Sequence, residues 1–368
     1  MKLLLSWRSY FHVVNFIRNN HLGVLIWLGI LFTACSTNTA SWMEDSYQYI
    51  DNKKITEITL PGSYIANAYD IDKDNPKCIG EILPQSYSNN AQIEENLSRL
   101  NADDSLNIFT NQLATQDLDI AAQLKTGVRY LDLRVCQQDG EFYTANLYLT
   151  EKLDNITEQI KQFLAAHPQE IILLDFDNNL RNESGYMDNQ SIAAFHTYLY
   201  KTFGNLIIPK DKMLNTIGEL KQQHYQIIIL SANFELAAYP DIWNKDQIAI
   251  TIDAQSSTIK RLSALESLLG NNTLVFPDKL NIVPLYSDVD MSVLDDDNDD
   301  NEVEQSILLN YLEQNLKNRP GVIVSDKNFL KKIEYLIIQQ DANGVLIESH
   351  PLIESYPLIE SYPLIESQ

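Results

Sequence analysis

The chain has 368 residues, of which 45% are hydrophobic and 10% aromatic, and its formal net charge at pH 7 is −23. This composition excludes an intrinsically disordered chain, and the length suits one large domain or two ordinary ones. Because the negative charge repels polyanions at long range, we expect no nucleic-acid partner.

The first 34 residues have the pattern of an export signal. Three basic residues, Lys2, Arg8 and Arg18, accompany no acidic one, so removal of this segment changes the net charge from −23 to −26. The apolar run at residues 22–34 is shorter than the roughly 20 residues of a membrane span and suits a signal peptide. It ends in "LFTAC", which resembles a bacterial lipobox and implies cleavage before Cys35 and lipidation of that cysteine.

An uncleaved anchor helix is the alternative, and either interpretation predicts a protein outside the cytoplasm. We expect an exported bacterial lipoprotein, attached to a membrane through Cys35, with residues 35–41 as a linker. Two cysteines then remain, Cys78 and Cys136. An even pair in an oxidising compartment predicts one disulfide, with two buried free thiols as the alternative.

Short apolar runs alternate with amphipathic segments over residues 42–340, which we predict to form one domain. Runs such as "IILLDF" and "QIIIL" are continuous and β-branched, as is typical of buried parallel strands. The predicted strands are residues 56–60, 128–135, 142–148, 171–176, 226–230, 248–252, 282–285 and 322–324. The predicted helices are residues 119–125, 153–166, 190–203, 258–269, 303–316 and 327–339. This alternation predicts an α/β fold, a (β/α)8 TIM barrel, with a doubly wound open sheet as the alternative.

Two insertions interrupt the alternation. Residues 71–112, rich in Asn, Asp and Ser, follow the first strand, where a long loop often flanks a barrel site. Residues 287–304 form an acidic loop in which Asp295, Asp297 and Asp299 have the spacing of a calcium loop. Its central Gly and closing Glu are replaced by Asp300 and Ser306, so we expect a solvated loop, with a weak Ca²⁺ site as the alternative.

The last segment, residues 341–368, contains a six-residue repeat, "PLIESY". Proline in each copy prevents a continuous helix, and a few short copies bury little surface. The repeat therefore predicts an extended, disordered tail.

Polar residues stand at the predicted carboxyl ends of the strands, where the site of a (β/α)8 barrel forms. In "YLDLRV", Asp132 and Arg134 share one face of a strand. They form either a salt bridge at the barrel mouth or an anion site, in which the planar guanidinium binds two oxygen atoms of a phosphate. The complete set is Tyr64, Asp132, Arg134, Ala145, Asn146, Asp175, Asp177, Ser231, Asn233, Asp253, Asp288 and Asp326.

Several motifs together resemble the X domain family of phosphatidylinositol-specific phospholipase C, closest to its small single-domain bacterial members. They include "ITEITLPGSYIANAYD", "TGVRYLDLRV", "GEFYTANLYLT" and "HPQEIILLDF", and the resemblance covers residues 42–339. It implies a distorted TIM barrel and a phosphoric diester hydrolase acting on inositol phospholipid. In that chemistry, the inositol 2-hydroxyl attacks phosphorus while one histidine acts as base and a second as acid.

Both histidine positions are substituted here. The resemblance aligns the first with Tyr64 and the second with Ala145, with Asn146 in place of a glycine. Tyrosine titrates near ~10, and alanine transfers no proton, so neither replaces imidazole at pH 7. The histidines after the signal segment, none at a predicted strand end, are His167, His196, His224 and His350.

The phosphate-facing part of the motif is retained in Asp132 and Arg134. An Arg at this position resembles the metal-independent bacterial branch, so no metal cofactor is expected, with Ca²⁺ as the weaker alternative. Asp175 and Asn233 are further candidates for ligand binding, whereas Glu170, at the opposite end of its strand, is predicted to be structural.

Three hypotheses for the function follow. The first is an impaired or inactive phospholipase-C-like protein that binds a phosphodiester headgroup. The second is an active phosphodiesterase using carboxylates such as Asp175 or Asp288, and the third is an envelope interaction protein that uses the barrel as a scaffold.

Overall fold

A computed structural model describes residues 39–72, 74–78, 113–176, 180–183, 185–251, 279–284 and 321–327. The signal segment, Cys35, most of the 71–112 insertion, the acidic loop and the repeat tail lie outside these residues, as do the last three predicted helices except Lys327. Within the described ranges, no helix has the length and apolar character needed to cross a membrane.

An eight-stranded sheet with parallel pairing throughout forms the barrel wall. Its strands are β1 (Thr59–Ser63), β2 (Tyr130–Asp132), β6 (Ile172–Asp175), β9 (Ile227–Ser231), β10 (Trp243–Asn244), β11 (Ala249–Thr251), β12 (Leu280–Pro284) and β13 (Gly321–Ser325). Strands β1, β2, β6, β9 and β10 are neighbours in chain order, and β11, β12 and β13 lead back to β1. This order is that of a curled parallel sheet, and the predicted α/β, TIM-barrel class is confirmed.

The described helices are α1 (Trp42–Asp45), α2 (Tyr47–Ile50), α3 (Ile120–Thr126), α4 (Leu153–Ala166), α5 (Asn189–Phe203), α6 (Ile217–Gln222) and α7 (Lys245–Ile248). Helix α4 matches its prediction in both bounds. Helix α3 begins where the Asp119 carboxylate accepts a hydrogen bond from the Ala122 N–H, and it ends at Gly127, whose φ of 117° requires glycine.

Alternating residues of the strands divide the core into two layers. Leu60, Tyr130, Leu173, Ile228 and Val322 pack inside the barrel. Their neighbours in sequence pack outward against the helices, as Leu131, Leu174 and Ile229 do against α4 and α5. This parity also sets the direction of the polar side chains at the strand ends, because successive side chains point to opposite faces.

The first strand differs from its prediction. Residues 55–57 form a 3₁₀ turn, and β1 runs through Pro61 and Gly62 to Ser63, beyond the predicted strand end at residue 60. Position 62 leaves little room for a side chain, because a Cβ added there would lie 3.0 Å from the Tyr130 and Val322 side chains. The site loop therefore begins at Tyr64.

The predicted strand at residues 142–148 is not part of the barrel wall. It divides into β4 (Glu141–Asn146) and β5 (Tyr148–Lys152), which join β3 (Val135–Gln138), β7 (Arg181–Asn182) and β8 (Gly185–Tyr186) in a separate five-stranded sheet. Strands β3 and β4 form an antiparallel hairpin across Asp139 and Gly140, both with positive φ. Asp-Gly is the usual pair for such a turn, so the sequence carried the signal for a hairpin here.

The disulfide predicted between Cys78 and Cys136 is present. The disulfide links the segment after β1 to β3. In the same segment, Lys77 pairs with Tyr148 in an isolated antiparallel β-bridge. A buried cluster of both cysteines, Ala145 and Leu149 surrounds the disulfide.

Glu170 lies at the amino-terminal end of the barrel wall and is fully buried. Its carboxylate accepts hydrogen bonds from the Arg129 guanidinium, with Nη2 at 2.6 Å, and from the backbone N–H groups of Met43 and Glu44. Arg129 also donates to the carbonyl of Ala40 at 2.8 Å. The predicted structural position of Glu170, away from the barrel mouth, is thereby confirmed.

Candidate functional site

Arg134 is the central charged side chain at the carboxyl end of the barrel. It lies just beyond β2 and is half-buried. Its Nη1 donates to the amide oxygen of Asn146 at 3.2 Å, and its Nη2 donates to the Tyr64 hydroxyl at 3.4 Å. The guanidinium carbon lies 5.8 Å from the centroid of the Tyr64 ring. Both of these acceptors are neutral, and an anionic oxygen would form a stronger, charge-assisted hydrogen bond with the guanidinium than either of them does.

The loop after β1 that carries Tyr64 is held by several hydrogen bonds. Thr115 Oγ1 donates to the carbonyls of Tyr64 at 3.0 Å and Ile65 at 3.1 Å, and Gln116 donates to Tyr64 at 2.9 Å. Asp132 accepts from the Ile65 N–H at 3.2 Å. Ile65 has φ of 38°, a left-handed conformation that is unfavourable for a β-branched residue. Strain of this kind persists where the surroundings fix the backbone, which is common at functional sites.

Asp132 therefore orients the Tyr64 loop. Besides its carboxylate contact, its carbonyl accepts from the Ala66 N–H at 2.7 Å. The sequence prediction placed Asp132 and Arg134 on one face of a strand. Both lie at the barrel mouth, but β2 ends at Asp132, and Arg134 follows in the segment between β2 and β3.

Ala145 and Asn146 occupy opposite sides of β4. The Ala145 side chain is buried against the Cys78–Cys136 disulfide, whereas the Asn146 side chain reaches Arg134. Asn146 is also fixed by donation to the Leu113 carbonyl at 2.7 Å. Of the two residues, Asn146 is the one that presents a side chain to the guanidinium.

Asp175 lies at the end of β6, beside Asp132 in strand register, but its side chain is fully buried. Its carboxylate forms an ion pair with Lys245 Nζ at 2.6 Å and accepts a hydrogen bond from the Tyr130 hydroxyl. Lys245 reaches it from the start of α7. Neither Lys245 nor Tyr130 was a sequence candidate, because their pairing with Asp175 depends on strand order.

The predicted ligand-binding residue Asn233 forms local contacts beyond β9. Its side-chain oxygen accepts from the Leu236 N–H at 2.9 Å, which starts a short 3₁₀ turn. Ser231 Oγ donates to the Phe176 carbonyl at 3.0 Å. Asp326 follows β13 at the same end of the barrel, while Asp177, Asp253 and Asp288 lie outside the described residues.

The described histidines lie on or next to helices. His167 follows the last residue of α4, at the amino-terminal end of the barrel, and its carbonyl accepts a hydrogen bond from the Glu170 N–H. His196, in α5, contacts Asp241 at 2.8 Å and stacks on Tyr239, while His224 follows α6. His350 lies outside the described residues.

Tyr69 joins the first loop to β5. Its hydroxyl donates to Glu151 Oε1 at 2.5 Å. Burial, reinforced by the nearby carboxylate, raises the pKa of Tyr69 above its ordinary value, so this phenol stays protonated at neutral pH. The contact therefore fixes the loop without adding charge to it. Among the described residues, no group of three or more His, Cys, Asp or Glu side chains could hold a metal ion.

Known proteins resemble this chain in sequence and in fold. Residues 103–232 match the family model described as phosphatidylinositol-specific phospholipase C, X domain. The mouse PI-PLC X domain-containing protein 2 is 27% identical over 244 residues, 65% of this chain and 67% of the mouse protein. The variant-surface-glycoprotein phospholipase C of Trypanosoma cruzi is 25% identical over 282 residues, 71% of each chain. A solved structure of Staphylococcus aureus phosphatidylinositol-specific phospholipase C superposes with a TM-score of 0.58 at 17% identity, covering 84% of this chain and 98% of that one.

Proposed function

We propose that the chain is a member of the phosphatidylinositol-specific phospholipase C X domain family, whose model matches residues 103–232, and that its barrel mouth binds the phosphodiester headgroup of an inositol phospholipid. We further propose that it cleaves this ligand slowly or not at all. The observation that carries the proposal is the position of Arg134, whose two terminal nitrogens point to the neutral oxygens of Asn146 and Tyr64. A phosphate with two oxygens can replace those acceptors with charge-assisted hydrogen bonds.

The side chains around Arg134 support binding more than catalysis. Tyr64 is a weak base at neutral pH, and the amide of Asn146 and the methyl group of Ala145 transfer no proton. An acid or base group typically contributes 10²–10⁴-fold to the rate, so the loss of both leaves mainly electrostatic stabilisation by the guanidinium.

A rearranged active site using Asp175 has less support. A general base must reach the proton that it removes, and the Asp175 carboxylate is fully buried and bonded to Lys245 and Tyr130. Asp288, the other carboxylate considered, lies outside the described residues.

We also propose that the protein is an exported lipoprotein, held at a membrane through lipidated Cys35. Within the folded domain, the chain enters at the end opposite Arg134: Thr39 Oγ1 donates to the Lys125 carbonyl, and Ala40 is bonded to Arg129. Partition of the full chain into detergent should be lost in Cys35→Ser, and a Cys35→Ser chain that still partitions would contradict lipidation.

The binding proposal is tested with myo-inositol 1-phosphate in a calorimetric titration and with phosphatidylinositol vesicles in a cleavage assay. We expect the wild-type chain to bind the soluble probe and Arg134→Ala to bind it at least about 10-fold more weakly, the loss of one charge-assisted hydrogen bond. Lys152→Ala is the matched control, because it removes an exposed positive charge from β5, beyond the site.

EDTA should leave the affinity unchanged, as a metal-independent site requires. Equal affinity in the wild type and Arg134→Ala, or no affinity in the wild type, would reject the proposed binding. Rapid, Arg134-dependent cleavage of the vesicles would instead identify an active enzyme.

A further inference from the structure

We propose that Asn67 is a positioning residue that holds Arg134 in the orientation needed to receive the ligand. This inference rests on the proposed function, since it concerns how the anion site at Arg134 is built. Asn67 lies in the loop after β1 and is only 1% exposed. Its side-chain amide bonds the segment that carries Arg134 and the strand β4 that carries Ala145.

Both polar atoms of the Asn67 side-chain amide form hydrogen bonds. Its Oδ1 accepts a hydrogen bond from the Arg134 backbone N–H at 3.0 Å, and its Nδ2 donates to the Ala145 carbonyl at 3.1 Å. Arg134 and Ala145 are also bonded directly, since the Ala145 N–H donates to the Arg134 carbonyl at 3.1 Å. Asn67 thus adds two hydrogen bonds from its own loop to the backbone of Arg134 and of Ala145.

The need for this amide arises from the path of the chain. Arg134 lies between β2, in the barrel wall, and β3, in the second sheet. Where a strand leaves one sheet for another, its buried backbone groups need new partners. A side-chain amide offers a donor and an acceptor in one plane, whereas a carboxylate of the same size offers acceptors only.

The loop that carries Asn67 is rigid enough to transmit this constraint. Ile65 adopts its strained conformation, and both backbone groups of Ala66 are hydrogen-bonded. The Ala66 N–H donates to the Asp132 carbonyl, and the Ala66 carbonyl accepts from the Gln123 side-chain amide at 2.8 Å. A fixed loop converts one hydrogen bond into a definite position for the Arg134 backbone.

The consequence extends to the three side chains of the anion site. Tyr64 precedes Asn67 in the same loop, Arg134 receives its bond, and Asn146 follows the residue to which Asn67 donates. One buried amide therefore fixes the spacing of Tyr64, Arg134 and Asn146. Its loss should turn the guanidinium away from these two partners while the barrel stays folded.

The test compares full-length chains carrying Asn67→Ala, Asn67→Asp and Asn75→Ala. Asn75 is the matched control, because its Nδ2 donates to the Leu149 carbonyl at 3.0 Å but not to the strand of Arg134. Binding of myo-inositol 1-phosphate should weaken about 10-fold in Asn67→Ala, as expected for the loss of hydrogen-bond alignment, and less in Asn67→Asp, which keeps the acceptor. Asn75→Ala should bind like the wild type.

Two further measurements separate positioning from general stability. In the Arg134→Ala background, Asn67→Ala should cause no additional loss of affinity, because both changes act on one interaction. The Arg134 side-chain Nε–H resonance, followed by NMR without ligand, should shift toward its value in unfolded chains in Asn67→Ala and stay in place in Asn75→Ala.

An unshifted resonance in Asn67→Ala overturns the inference, whether or not the probe binds. Wild-type affinity in Asn67→Ala, or a loss that adds fully to that of Arg134→Ala, overturns it as well. A wild-type chain that does not bind, but whose resonance shifts in Asn67→Ala alone, rejects the proposed function and retains the positioning role.

Discussion

Replacement of Glu170 by alanine is expected to destabilise the folded chain by about 3–5 kcal/mol, because it leaves a buried charge without its partner. The Arg129 guanidinium lies against Trp42 and Phe163, with ring centroids at 5.7 and 5.0 Å, and has no access to water. The same change removes the acceptor of the Met43 and Glu44 N–H groups, which attach α1 to the barrel. Urea unfolding, followed by circular dichroism, measures the loss.

The matched control is Lys161→Ala, which breaks the exposed ion pair with Glu158 on α4. Exposed pairs are screened by water, so this variant should unfold at nearly the wild-type urea concentration. Glu170→Ala unfolding within experimental error of Lys161→Ala would show that the buried pair is not a major source of stability.

Introducing histidine at both Tyr64 and Asn146 is expected to raise cleavage of phosphatidylinositol at least about 10²-fold over the wild type, the lower range for one acid or base group. Both side chains contact Arg134, so imidazoles placed there would be next to a phosphate that the guanidinium binds. Imidazole supplies a group that titrates near neutrality, which neither native side chain does.

The control is Tyr64→His combined with Ala145→His, the pair that sequence resemblance alone would select. Position 145 faces the buried disulfide cluster, so a histidine there should overfill the packing and lower stability, typically by about 1–3 kcal/mol, with little gain in cleavage. Greater activity in this pair than in the Asn146 pair would mean that position 145, and not 146, faces the ligand.

Much of the fold could be predicted from apolar runs alone. Continuous β-branched runs gave the barrel strands near residues 172, 227 and 322 to within one or two residues, since a strand buried on both faces needs apolar residues throughout. The same reasoning failed at residues 142–148, which divide between two antiparallel strands of the second sheet, and there the Asp139–Gly140 turn was the informative signal.

The polar site was harder to predict than the strands that carry it. Spacing within one strand placed Asp132 and Arg134 together at the mouth, and the even cysteine count paired Cys78 with Cys136. No local pattern could connect Lys245 with Asp175, which are 70 positions apart, because such a contact requires knowledge of which strands are neighbours.

The sequence by itself determined the barrel class, the disulfide pair and the substitution of tyrosine and alanine at the positions that the family resemblance assigns to histidine. Only the tertiary structure decided that the side chain of Asn146, and not that of Ala145, contacts the Arg134 guanidinium, and that Asn67 bonds the backbone of both Arg134 and Ala145. The physical reason is the two-residue period of a strand: a shift of one position sends a side chain to the opposite face, and the register that fixes this parity comes from pairing between distant segments.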